Sequence, residues 1–250
     1  MNRFLYPLLF LIILMALWQG IVIYFQIPDY LLPTPQAVWI AFKLDPVLFI
    51  SATWLTLKGA LIGFFLSFIL GLQMACLMSR FIPLRYMFSP YAVFFQTVPI
   101  VAIAPLIIVW FGTGFLSVVI IVFIVSVFPV ITNGVAGFSK KRPLFEDLLS
   151  LYGVSGVRRF MFYSLPLAVP EITSGVQVSA GLSVIGAILG EFFAGFGTSH
   201  FGLGYLIINS AGQLKMADLF VTIFCATGLG MLFMLMIHLF FKVLLKKYQS

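Results

Sequence analysis

Charge is scarce in this chain, and acidic charge most of all: seven Asp and Glu stand among 250 residues, and charged residues of both signs make up only 8%. Soluble globular domains carry about 25% charged residues, so that class is excluded. Two histidines and two cysteines leave little material for metal or redox chemistry. Cys76 and Cys225 each lie inside an apolar run without CxxC spacing and read as buried free thiols. His200 and His238 stand alone, without the neighbours of a metal or catalytic site, and read as surface or interface histidines. No GxxxxGK(S/T) segment occurs, so the chain has no phosphate-cradling loop of its own. An intramembrane enzyme would need His, Asp, Glu or Cys clustered on facing spans, and those residues are missing.

What is there is apolar. Hydrophobic residues make up 62% of the chain, with 29 Phe and 9 Tyr, and the mean hydropathy is +1.17. Such a chain is a polytopic membrane protein, long enough for about six spans of ~20 residues. The net charge of +7 does not mark a nucleic-acid binder, because the basic residues fall at the ends of apolar runs rather than in a patch among aromatics.

The expected spans are about 4–25, 56–79, 91–111, 117–138, 171–194 and 219–241. The first exceeds the 7 to 15 residues of a signal-peptide core and reads as a retained transmembrane helix. Between Ile27 and Trp54, four prolines and two acids predict a loop with a short surface helix. Pro99 and Pro105 in the third span kink a helix unless neighbours satisfy the freed carbonyls. Gly112 to Gly114 form a tight turn into the fourth span. Gly195 to Asp218 is too polar and Gly-rich to span, and reads as an external loop that dips back toward the membrane.

Six spans put both termini on one side. That side holds Arg3, Arg80, Arg85, Lys140, Lys141, Arg142, Arg158, Arg159, Lys242, Lys246 and Lys247, eleven of the fourteen basic residues, against Lys43, Lys58 and Lys215 on the other. The positive-inside rule then makes both termini and the loop 139–170 cytoplasmic. The fold class is all-α: one transmembrane domain over 1–250, six helices and an elaborate cytoplasmic loop.

That loop, EDLLSLYGVSGVRRFMFYSLPLAVP from Glu146 to Pro170, is the one long polar-containing segment between spans. Pro143 suits a first helical position; Leu144, Leu148 and Leu151 fall on one face, widened by Phe145, Leu149 and Tyr152, and Gly153 is the expected left-handed terminator. The opposite face offers Glu146, Asp147 and Ser150, and the two carboxylates suit the positive end of the helix dipole. Ser155 is placed to cap a second short helix through Tyr163, which Pro166 ends. A plain amphipathic connector on the membrane surface is the alternative.

The segment resembles the EAA loop of permease subunits of bacterial ABC importers, whose pattern is an acidic residue with two small ones, three residues, Gly, nine residues, an aliphatic position, one residue, then Leu-Pro. Gly153, Leu165 and Pro166 match; the triplet falls on Asp147, Leu148 and Leu149, and Tyr163 takes the aliphatic position. LLPTPQAV (31–38), QTVPIVAIAPLIIVWFGTG (96–114), GAILGEFF and GLGYLI are similar to segments of the branch that moves sulfonates, taurine, nitrate and thiamine-pyrimidine precursors. The resemblance implies a type I importer permease of the inner membrane working as a homodimer, with a coupling helix that docks on an ATP-hydrolysing subunit. It further implies two cytoplasmic ATP-binding subunits that carry ATP and Mg, an external substrate-binding protein, and no cofactor on this chain. The coupling residues are then Glu146, Asp147, Ser150, Gly153, Ser155, Leu165 and Pro166.

Candidate pathway residues are the polar or helix-bending positions in spans: Gln96, Pro99, Pro105, Gln177 and Glu191. Glu191 is the one acid deep in an apolar run, where burial costs about 2.5 to 3.5 kcal/mol on insertion scales unless paired or wetted. It either lines the path or sits bonded to a loop amide near the outer interface. Gly175, Gly181, Gly186 and Gly190 permit close helix contact. The rival class, an ion-gradient-driven secondary transporter, would show internal repeats and several membrane-embedded ion ligands. Neither half repeats the other, and Glu191 is the sole candidate acid.

Overall fold

The computed structural model describes residues 2–194 and 201–249, and His200 and Gly195 lie outside the described residues. Among the described residues the chain forms α-helices and one π-helical turn, and no strand. In chain order these are α1 (Asn2–Tyr24), α2 (Pro35–Leu44), α3 (Pro46–Arg80), α4 (Ile82–Thr97), α5 (Ile100–Phe111), α6 (Phe115–Phe138), α7 (Pro143–Leu151) and α8 (Gly156–Arg159). After the π-turn at Phe160–Ser164 come α9 (Leu165–Ala194), α10 (Leu203–Gly212) and α11 (Met216–Gln249). Among the described residues, five helices are long and apolar enough to cross a membrane, and α4 with α5, bent by 100°, form either a sixth, broken span or a re-entrant loop.

Four expectations need correction, each for a local reason. The second span starts at Pro46 rather than near residue 56, because Asp45 accepts a hydrogen bond from Leu48 N at 3.0 Å and Pro46 takes the first helical position. The dense prolines thus start helices as well as break them; Pro35 does the same for α2 behind Thr34, whose Oγ1 accepts from Ala37 N at 3.1 Å. The third span, expected as one kinked helix over 91–111, is two helices, since Val98 before Pro99 is forced into extended backbone. Pro105 sits inside α5 without ending it.

The fourth correction concerns the second cytoplasmic helix, which Pro166 does not end. Helix runs on from Gly156 to Ala194 through the π-turn. There Leu165 N bonds Phe160 O, five residues back, and the widened turn takes the following proline without the clash that a tight α-turn would impose. The fifth span is therefore continuous with the loop that precedes it.

The interior is built where α3, α6 and α9 lie side by side, and small residues make that contact close. A Cβ on Gly186 or Gly190 would sit 3.2 or 3.1 Å from the Cα of Val122 or Val118 on α6. Gly181, by contrast, meets only Met234 sulfur at 3.6 Å. Without a hydrophobic drive between helices in lipid, polar contacts add cohesion. Ser67 Oγ lies 2.7 Å from Ser126 Oγ, and Ser179 Oγ donates to Ser126 O at 2.7 Å, tying the three helices together. The turn at Gly112 and Gly114 has φ of +83° and +126°, as its glycines predict, and Gly114 N donates to Ala194 O at 3.1 Å.

Candidate functional site

The loop after α6 projects a short helix whose apolar face has no partner among the described residues. On α7, Leu144 is 79%, Leu148 50% and Leu151 82% exposed, so the face that periodicity marks as apolar is presented outward. The helix closes at Gly153, whose φ is +59°. Val154 N donates to Leu149 O and Gly153 N to Ser150 O, each at 3.1 Å, the paired bonds of a Schellman terminus. Asp147 and Ser150 are exposed on α7.

Glu146 stands one turn before Ser150 on the same side of α7, but its side chain is not presented outward. Its carboxylate lies 3.2 Å from Arg159 Nη2 and 4.0 Å from Lys141 Nζ, turned back into the loop instead of outward. Two further contacts fix the loop's base: Lys140 pairs with Glu171, and Tyr163 Oη accepts from Arg142 N at 2.7 Å. The tyrosine at the pattern's aliphatic position thus reaches across twenty-one residues to hold the start of α7. Ser155 occupies the N-cap position of α8, but its side chain caps nothing. Leu165 and Pro166 open α9 directly after the π-turn.

Of the five pathway candidates, the structure brings two together. Gln96 lines a cavity of about 350 Å³ beside the α4–α5 break, with Phe95, Val98, Ile124, Phe128 and Val178. Gln96 Nε2 donates to Thr132 Oγ1 at 3.4 Å, and the Phe95 and Phe128 rings stack at 5.4 Å. Pro99 forms the break itself. Gln177 turns away and lies 3.1 Å from His238 Nδ1 on α11, which makes His238 an interface histidine. Pro105 is outside the cavity lining.

Glu191 is buried at 4% exposure and bonded on two sides. Its Oε2 accepts from Thr56 Oγ1 at 2.8 Å and from Gly204 N at 2.9 Å, while Thr56 Oγ1 accepts from Leu203 N at 2.9 Å. The carboxyl group therefore caps α10 from another helix, meeting N–H groups that the helix's first turn leaves unpaired. Its partners are the amide of Gly204 in the first turn of α10 and the hydroxyl of Thr56 on α3, and Glu191 is not among the residues lining the Gln96 cavity. Thr56 carries no signal in the sequence, because its partner lies 135 residues away; Arg159 and Tyr163 stand there only as a cytoplasmic charge and a pattern position, without their partners.

Residues 63–250 match the family model of the binding-protein-dependent transport system inner membrane component. The chain is 30% identical over 229 residues to a probable ABC transporter permease protein of Haemophilus influenzae, covering 92% of each. It is 31% identical over 229 residues to a formylaminopyrimidine transport permease protein of Halalkalibacterium halodurans, covering 90% of this chain and 89% of that one. It is also 31% identical over 218 residues to a riboflavin transport system permease protein of Chloroflexus aurantiacus, covering 85% and 79%. This kinship supports an ATP-driven importer over an ion-gradient-driven carrier. The chain belongs to the binding-protein-dependent transport inner membrane component family, as a multi-pass permease subunit of a type I ABC importer.

Proposed function

We propose that this permease works as a homodimer over the whole of 1–250, with both termini and the 139–170 loop in the cytoplasm, and that α7 docks on an ATP-hydrolysing partner. The observation that carries the docking is the exposed Leu144, Leu148 and Leu151 face on a helix braced from behind. A helix with that much uncovered apolar surface fits an amphipathic groove on a partner. ATP and Mg belong to two such partner subunits, and this chain binds no cofactor. Asp147 and Ser150 present polar contacts beside the apolar face, Gly153 sets the helix end, and Glu146 positions the helix through Arg159. Ser155 opens the return at the start of α8, and Leu165 and Pro166 carry it into α9, so that movement of α7 is passed to a membrane helix.

An external binding protein delivers a small polar solute, and the relatives named for formylaminopyrimidine and riboflavin transport support an organic one. The cavity at Gln96 and the Pro99 break supplies the pathway surface of each protomer. Closure of the ATPase pair draws the two α7 helices together and turns the pathway outward, the rigid-body form of alternating access. Pro105 bends the pathway helix, and Gln177 and Glu191 support it from outside the cavity.

A cysteine at Ser150 is expected to react with a membrane-impermeant thiol reagent only from the cytoplasmic side, and to be protected when the ATPase subunit assembles. One at Gln36, exposed on α2, is expected to react only from outside. Thr34 is the poorer probe because it caps α2. Reaction of the Ser150 cysteine from outside overturns the orientation; undiminished reaction in the assembled complex overturns the docking.

The Glu146–Arg159 pair is partly exposed, so it adds little to stability, about 0.2 to 1 kcal/mol at most. Its effect is expected in coupling: Glu146→Arg lowers ATP-driven uptake several-fold, and adding Arg159→Glu to the same chain restores it. Uptake that stays at the wild-type rate in the single variant removes the brace from the mechanism.

A further inference from the structure

We propose that the cleft between α1, α2 and α11 is a binding site for one anionic glycerophospholipid. The cleft has a volume of about 380 Å³ and is lined by Met15, Trp18, Val38, Trp39, Phe224 and Cys225, among others. Three separate observations suit this ligand. First, α1 is held loosely: Val22 is its one buried hydrophobic residue among those described. Its ring contacts to α11 come from Trp18 alone, at 5.3 Å from Phe220 and 6.4 Å from Phe224. An apolar cleft behind such a helix offers an acyl chain dispersion contacts along its lining.

Second, Trp18 Nε1 is buried without a hydrogen-bond partner. An unpaired buried donor is destabilising, and the ester carbonyl of a glycerolipid is an acceptor carried at the head of an acyl chain. Third, Trp39 is 57% exposed beside the cleft. Lys43 Nζ sits 5.2 Å from the centroid of its ring. That cation lies on the side of the membrane where basic residues are rare, and it is one α-turn from a cleft wall. The indole suits the interfacial depth and the ammonium suits a lipid phosphate. The chain fills the cleft, Trp18 holds the ester and Lys43 holds the headgroup; the orientation proposed above assigns the lipid to the outer leaflet and bears on nothing else here.

Native mass spectrometry of the full-length permease, released from micelles containing phosphatidylglycerol or phosphatidylcholine, tests this. The wild type is expected to retain one phosphatidylglycerol per chain and about tenfold less phosphatidylcholine. Lys43→Gln removes the preference without lowering phosphatidylcholine retention. Trp18→Phe lowers retention of both lipids, because the ester is common to them, and Cys225→Phe lowers both by occupying the cleft. Lys43 is exposed on α2, so its variant remains informative even where the cleft variants fail to accumulate. Equal retention of the two lipids by the wild type overturns the headgroup assignment, and wild-type retention by Cys225→Phe or Trp18→Phe overturns the cleft.

Discussion

Gly153→Val is expected to abolish ATP-driven uptake while the protein still inserts and accumulates in the membrane. Gly153 holds φ at +59°, a region that costs an ordinary L-residue roughly 1–2 kcal/mol and is a clear outlier for a β-branched one. Nothing lies within 4 Å of where its Cβ would be, so the effect is backbone strain and not crowding. Relief of that strain breaks the two terminal bonds, Val154 N to Leu149 O and Gly153 N to Ser150 O, and lets α7 swing on its brace. The loop lies outside the packed α3–α6–α9 interior, so insertion survives. Asparagine tolerates the left-handed region, and Gly153→Asn should keep much of the activity. Uptake by reconstituted importer and ATPase stimulation by substrate-loaded binding protein are the readouts. Wild-type coupling in the valine variant would falsify the assignment of α7 as the coupling element.

The contrast between α7 and its surroundings shows which physics a single sequence carries. Pro143 at the first position, leucines at i, i+4 and i+7, and Gly153 at the end are all local signals, and the helix forms at Pro143–Leu151 as they require. Composition and the placement of Arg and Lys likewise make the spans legible, since the bilayer acts on each segment separately. What stayed hidden is pairing at a distance. Glu146 reads as part of an outward polar face until Arg159 is seen beside it. The prolines of the third span read as kinks within one helix, yet extended backbone at Val98 and Pro99 makes a full break of 100°. Pro46 is a different case: Asp45 and Pro46 are a local start signal, masked by the other prolines of the stretch.

Glu191 gives the second large effect, and the outcome separates its two readings. The buried carboxyl group serves Thr56 Oγ1 and Gly204 N with the same oxygen, Oε2, and Thr56 in turn serves Leu203 N. Glu191→Leu leaves Gly204 N unpaired, at about 1 to 3 kcal/mol for a buried donor, while Thr56 Oγ1 keeps Ala52 O at 3.1 Å as its acceptor; the variant is expected to lower thermal stability and loosen α10. Glu191→Gln keeps an oxygen of the same shape in the same place, so stability and uptake are expected to stay near wild type. Glycine supplies an independent check, because a Cβ on Gly202 would lie 2.1 Å from the Glu191 carboxyl carbon. Gly202→Ala must displace either the carboxyl group or the start of α10, and should reproduce the instability of Glu191→Leu without altering Glu191. Thr56→Val, which removes only the hydroxyl, should fall between the wild type and Glu191→Leu. Should Glu191→Gln instead lose uptake at unchanged melting temperature, the group acts on the solute or the gate, and α10 is held by its packing against α3, α9 and α11.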